Sequence, residues 1–190
     1  VNPDDDVSQW IAPADSEMAD IYVVGVQELV ELGAMSVVLG ASGDADRQAA
    51  LEARIEEAFR RRSPKEPYGK VCSFGMVGLA LTMYIKQSLR HHVADLDCDR
   101  VKTAFDGIAG NKGCVCVRLR LGELSLCFVN VHLASGQNAA AAAERNANLV
   151  QVLTDAFQRV SLKGAARPAK QGFRRKSVYK VAMHHFAAVM

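Results

Sequence analysis

The run Ile21-Tyr22-Val23-Val24-Gly25-Val26, closed by Gln27-Glu28, predicts a buried strand covered on both faces, because no polar residue alternates through it. Ala50, Leu51, Ile55, Ala58 and Phe59 recur at helical spacing over roughly 47–62, with Asp44 or Asp46 as the N-cap and Ser63-Pro64 as the stop. A second strand is expected from Val77 to Lys86, its approach broken by Gly75 and Gly78. A third, rich in acids and so nearer the surface, is expected within Val93–Phe105. The clearest unit is a hairpin. Val115, Val117, Leu119 and Leu121 alternate with Cys114, Cys116, Arg118 and Arg120, and Gly122-Glu123 then supplies a Gly-x turn of type II′ into Leu124–Leu133. On that second strand Leu124, Leu126, Phe128, Asn130 and His132 share one face, which is apolar for three positions and then turns polar at a sheet rim. An alanine-rich helix follows over roughly 138–160. No internal repeat is present, and Gly164, Pro168 and Gly172 break any long element beyond Leu162. The chain therefore divides into one folded unit, residues 1–162, and a tail, residues 163–190.

Composition narrows the class. Of 190 residues 49% are apolar and 23% charged, which excludes disordered and fibrous chains and gives enough apolar mass for one core. The longest apolar stretch, Val71 to Ile85, is interrupted by Ser73, Gly75, Gly78 and Thr82 and falls short of the roughly 20 residues a membrane span needs. Asp4-Asp5-Asp6 is the wrong charge for a signal peptide. Five cysteines (72, 98, 114, 116 and 127) are an odd number within apolar runs. The gap in Cys114-x-Cys116 is wrong for a zinc knuckle, and the two thiols are expected to face apart. Reduced, buried cysteines in a cytoplasmic protein are the reading these features favour. Seven of the 23 Lys and Arg lie from Lys163 onward, where no Asp or Glu occurs, so the body of the chain is acidic and the tail basic. An acidic body excludes nucleic acid as the partner. The tail reads first as a solvated terminal segment, and second as a peripheral contact with anionic lipid.

Three short segments carry candidate chemistry. Glu28 ends an apolar strand, where a carboxylate must be paired or hold a cation; ordinary capping is the competing reading. Gly107-x-x-Gly110-Asn111-Lys112-Gly113 brings a backbone close to a ligand and offers an ammonium to a phosphate, against a plain glycine turn with a solvated lysine; Walker A order is absent. Asn130-x-His132 places an imidazole where a strand face turns polar, with Ser135-Gly136 next. Glu144-Arg145-Asn146 at the helix start is explained by salt bridges or capping. The doublets His91-His92 and His184-His185 are expected to diverge and hold no metal.

Taken in order, these segments resemble the inositol polyphosphate 5-phosphatase family. The likeness runs over roughly residues 8–160 and rests on Asp20–Leu32, on Phe105 to Arg118 with its Gly110-Asn111-Lys112-Gly113 core, on Phe128-Val129-Asn130-Val131-His132-Leu133 and on Glu144-Arg145-Asn146. The resemblance implies an α/β fold, a four-layer α-β-β-α sandwich of mostly antiparallel sheets. It implies Mg²⁺-dependent removal of the 5-phosphate from phosphoinositides of the phosphatidylinositol 4,5-bisphosphate class or from soluble inositol polyphosphates. Glu28 would be the Mg²⁺ ligand and His132 the histidine facing the scissile phosphate. Asn111, Lys112 and Asn130 would line the substrate cleft, and Arg145 and Asn146 would support it.

The family pattern also carries an upstream Trp-Asn-x-Asn, just inside or after which Val1-Asn2-Pro3 would fall, and a downstream Gly-Asp-x-Asn with the water-activating Asp and a Ser-Asp-His, neither of which occurs between Gln158 and Met190. The fold is therefore expected to be incomplete at both ends, the N-terminal half of the catalytic domain. Without that base the nucleophile loses a factor of about 10²–10⁴. Three function classes follow: a phosphatase or an inactive fragment of one; a non-catalytic module that binds inositol phosphate or anionic lipid; and, more weakly, another phosphodiesterase of the endonuclease/exonuclease/phosphatase superfamily.

Overall fold

A computed structural model describes residues 6–29, 43–104 and 109–158, without the side chains at 43, 44, 104 and 109–111. The elements are α1 (Ser8–Ile11), β1 (Ile21–Val26), α2 (Gly43–Arg62), β2 (Tyr68–Met76), β3 (Leu79–Lys86), a 3₁₀ turn (Gln87–His92), β4 (Val93–Ala104), β5 (Ala109–Leu121), β6 (Leu124–His132) and α3 (Ala139–Asp155). The strands form two antiparallel sheets, in the orders β1-β3-β2 and β4-β5-β6.

The layers follow from side-chain alternation. On β3 the residues Leu79, Leu81, Met83 and Ile85 point to one face and meet Val115, Val117, Leu119 and Leu121 of β5, so the two sheets bury a common core. The intervening Ala80 and Tyr84 point the other way, onto Leu51, Ile55 and Phe59 of α2. On β5 the intervening Cys114 and Cys116 face Val152 of α3. Helix, sheet, sheet and helix thus stack as the four-layer α/β sandwich expected from the resemblance. Among the described helices none is long and apolar enough to cross a membrane.

Several details differ from the sequence reading. The doubly covered strand is β3, buried at seven of eight positions, whereas β1 is a sheet edge with only Ile21 and Val24 buried. β2 was not anticipated, because Gly69, Lys70, Ser73 and Gly75 interrupt its pattern; it pairs with β3 through a bulge between Lys70 and Cys72. Helix α2 begins at Gly43, so Asp44 and Asp46 lie inside its first turn instead of capping it. Helix α3 starts one residue later than expected, with Asn138 as N-cap accepting from the Ala141 N–H at 2.8 Å. The β5–β6 turn has Gly122 at φ +55°, as a type II′ turn requires at its first central position. Cys114 and Cys116 share a face, as residues two apart on a strand must, and Cys127 is exposed. His91 and His92 do not diverge: their ring centroids are 3.9 Å apart. The expected tail, residues 163–190, and the second doublet lie outside the described residues.

Candidate active site

The two sheets deliver their functional side chains to one end of one edge. β1, an outer strand of its sheet, runs into Gln27-Glu28, and β6, an outer strand of the other, ends at His132. Glu28 has φ +51°, a left-handed backbone uncommon for a residue with a side chain, and Leu29 N–H donates to Gly78 O at 3.1 Å to hold the turn. The Glu28 side chain is exposed, and its Oε1 lies 3.5 Å from His132 Nε2. His132 is buried.

Lys112 arrives from β5. Gly113 pairs with His132 on one side and Lys102 on the other, so Lys112 adjoins the histidine's register partner. Regular alternation would send the Lys112 side chain toward the face of Cys114 and Cys116. The strand leaves regular geometry at Gly113, where φ is +142° and a Cβ would stand 2.0 Å from Val101 O. Only glycine fits there. The Lys112 ammonium consequently reaches 2.7 Å from His132 Nε2. A charged ammonium can only donate, so it fixes Nε2 as the acceptor and the ring proton on Nδ1. Burial pulls the Lys112 pKa below its usual range, and the Glu28 carboxylate pushes it back up.

Glu28, Lys112 and His132 are therefore brought together. Asn111 lies in β5, but its side chain is outside those described. Asn130, expected in the substrate cleft, uses its amide nitrogen on two backbone carbonyls of the opposite sheet, Val26 O and Ala80 O, each at 2.9 Å. Arg145 holds the loop after β6, donating from Nη1 to Ala134 O at 3.2 Å and Gly136 O at 2.7 Å. Asn146 is exposed on α3 and touches none of the three clustered residues among the described contacts. Two residues without an assigned role in the sequence reading also act here. Gln27 Nε2 donates to Val131 O at 2.6 Å, and Asn148 Oδ1 accepts from Ala134 N–H at 3.3 Å. Polarity beside a candidate ligand was the available signal for Gln27. For Asn148 the sequence held none.

A hard divalent cation fits this arrangement in one respect: an exposed carboxylate can take one position while waters and a phosphate oxygen take the rest, as Mg²⁺ prefers. Among the described residues no group of three or more His, Cys, Asp or Glu is arranged to hold a metal by itself. A separate cleft of about 340 Å³, lined by Gln48, Glu52, Ser73, Phe74 and Arg100, lies along β2 and α2 and includes none of the clustered residues.

Comparison with known proteins agrees with this fold. The sequence profile of endonuclease/exonuclease/phosphatase family 2 matches residues 1–185. The chain is 32% identical over 131 residues to an inositol-1,4,5-trisphosphate 5-phosphatase of Schizosaccharomyces pombe, covering 68% of this chain and 12% of that protein. It is 31% identical over 137 residues to synaptojanin-1 of Homo sapiens, covering 72% of this chain and 8% of that protein. Among solved structures it resembles the inositol polyphosphate 5-phosphatase domain of SPsynaptojanin, crystallised with inositol (1,4)-bisphosphate and calcium ion. That match has a TM-score of 0.65 and 26% identity, over 78% of this chain and 40% of the other. The chain thus spans a small part of its curated relatives and less than half of the solved domain.

Proposed function

Because the chain belongs to endonuclease/exonuclease/phosphatase family 2, we propose that it supplies part of a Mg²⁺-dependent phosphatase site that removes the 5-phosphate from phosphoinositides or soluble inositol polyphosphates. The relatives named above are inositol polyphosphate 5-phosphatases, and the solved neighbour held an inositol bisphosphate. The observation that carries the reading is the convergence of three chemically matched groups: Lys112 Nζ at 2.7 Å and Glu28 Oε1 at 3.5 Å from one imidazole nitrogen.

Glu28 is the residue that holds the cation, which when bound offsets charge on a phosphoryl oxygen and on the departing alkoxide. Lys112 and His132 act on the same phosphoryl group from the other side. An entering phosphate competes for the Lys112 ammonium, which is partly desolvated and gains from a dianion what it gives up at a neutral imidazole. His132 is buried and its Nε2 accepts while Lys112 donates to it; once the ammonium turns to the phosphate, an Nε2 that carries a proton would donate to the developing charge. Gly113 is indirectly part of this, since it lets Lys112 turn inward.

Purified full chain with Mg²⁺ is expected to release phosphate from inositol 1,4,5-trisphosphate. Glu28→Ala, which removes the cation's ligand, and His132→Ala should each lower the rate by roughly 10²–10³, the scale of losing one charge-stabilising group. A second reading is supported by the partly desolvated Lys112 ammonium beside His132, which can hold an anionic headgroup without a cation: the chain binds the headgroup without hydrolysing it. In that case no phosphate appears, and calorimetry records headgroup binding that Lys112→Ala weakens.

A further inference from the structure

Two packed sheets are joined mainly by apolar contact, which sets their spacing but is non-directional and leaves sliding loosely controlled. At the end that carries Glu28 and His132, directional bonds replace it. On the inner face of β6, after Leu124, Leu126 and Phe128, comes Asn130. Its amide donates across the gap to Val26 O and Ala80 O, each at 2.9 Å. Those two residues are register partners, the last pair of β1 with β3. One residue on, the direction reverses: Gln27 Nε2 of the first sheet donates to Val131 O of the second at 2.6 Å. Gln27 precedes Glu28, and Val131 precedes His132. Gly25 contributes by having no side chain, since a Cβ there would meet Asn130 Cγ at 3.0 Å and Nδ2 at 3.3 Å.

The geometry points to Asn130, Gln27 and Gly25 as a cross-sheet clamp that sets the separation of Glu28 from His132. They are positioning residues, acting through the backbone one to three residues away from each functional side chain. The inference rests on the roles proposed above for Glu28 and His132. Glu28 stands on a left-handed backbone just past the last paired residue of an edge strand, so no ladder bond of its own fixes its aim. The clamp does so on the strand side of Glu28, as the Leu29 N–H to Gly78 O bond does on the other.

The test uses full-length Asn130→Ala and Gly25→Ala. Gly25→Ala removes no polar group and stands in should Asn130→Ala fold poorly. Each is assayed for hydrolysis of inositol 1,4,5-trisphosphate against Mg²⁺ and substrate concentration, with hydrogen exchange read by mass spectrometry. For both variants kcat should fall by about 10- to 100-fold, the cost of misplacing a reacting group by ~1 Å. The apparent Mg²⁺ requirement should rise and KM should change less than about threefold. Exchange should accelerate over residues 25–29 and 130–134, with β3 and α2 unchanged. A KM increase with kcat intact would overturn the clamp and make Asn130 a direct substrate contact. Parent-like kinetics with unchanged exchange would overturn it as well. If the parent itself releases no phosphate, the functional reading fails and exchange alone decides: acceleration at 25–29 supports the clamp, and its absence refutes it.

Discussion

Glu52 offers the sharpest test of the packing described here. It is buried on the inner side of α2 at 7% exposure and accepts four hydrogen bonds: from Lys70 Nζ at 2.7 Å, Ser73 Oγ at 2.6 Å, Thr82 Oγ1 at 3.0 Å and Gln48 Nε2 at 3.2 Å. These join α2 to β2 and β3. In Glu52→Ala the Thr82 hydroxyl, itself buried, loses this acceptor, a penalty of roughly 1–3 kcal/mol. Lys70 is partly exposed and keeps Glu56 at 3.2 Å, so its share is at most about 1 kcal/mol. Ser73 and Gln48 reach water beside the cleft and add little. The expected total is about 1–4 kcal/mol, read as a fall in urea midpoint at constant m-value. Glu52→Gln retains an acceptor for Thr82 and Ser73 and should lose only about 1 kcal/mol. Burial by itself raises the Glu52 pKa, but the bonds from Lys70, Ser73, Thr82 and Gln48 outweigh it and hold the carboxyl below its usual value of 4.5. A depressed carboxylate stabilises above the unfolded-state pKa, and that contribution disappears as pH falls through the lower folded value. Glu52→Gln should therefore flatten the parent's loss of stability below about pH 4.5. A Glu52→Ala loss under about 1 kcal/mol, or Gln proving as costly as Ala, would refute the reasoning.

Other outcomes follow from the same geometry. Gly113→Ala forces a Cβ onto Val101 O, so it should cost at least about 2 kcal/mol and displace Lys112, removing phosphate release or headgroup binding; a folded, fully active variant would contradict the proposed turn. Ile55, fully buried between α2 and the first sheet, should lose about 2–5 kcal/mol on truncation to Ala in chemical denaturation. Of the five cysteines only Cys127 is exposed, so a thiol reagent at pH 8 should modify it before the other four in the folded chain, although partial desolvation raises its pKa as well. Cys72 should resist it, since burial pushes its pKa up to about 12 and leaves almost no thiolate. Rapid labelling of two or more sites would contradict the packing of β2, β4 and β5.

Much of this was legible in the letters because period and local chemistry are local properties. The alternation from Cys114 to His132 gave the hairpin and its inward face, and Gly122 gave its turn. Helical spacing from Ala50 to Phe59 gave α2 and the residues it buries. Strand β2 was hidden because its neighbour β3 supplies what its own glycines and polar residues do not: a paired backbone and a covered face. The edge position of β1 was likewise invisible, since an apolar run says that a strand is buried but not which neighbour buries it.

The site divides in the same way. Sequence alone determined the candidates for phosphate chemistry, an acid after an apolar strand, a lysine among glycines and a histidine where a strand face turns polar, because functional groups are carried by residue type, and the family resemblance gave them their expected roles. Their meeting was decided only by the fold: Glu28 and His132 lie 104 positions apart and approach because two sheets stack with β1 and β6 on the same edge. The fold also supplied the partners of Asn130 and Arg145. Their donors go to backbone carbonyls that residue type cannot foretell, because a hydrogen bond depends on where the acceptor is brought.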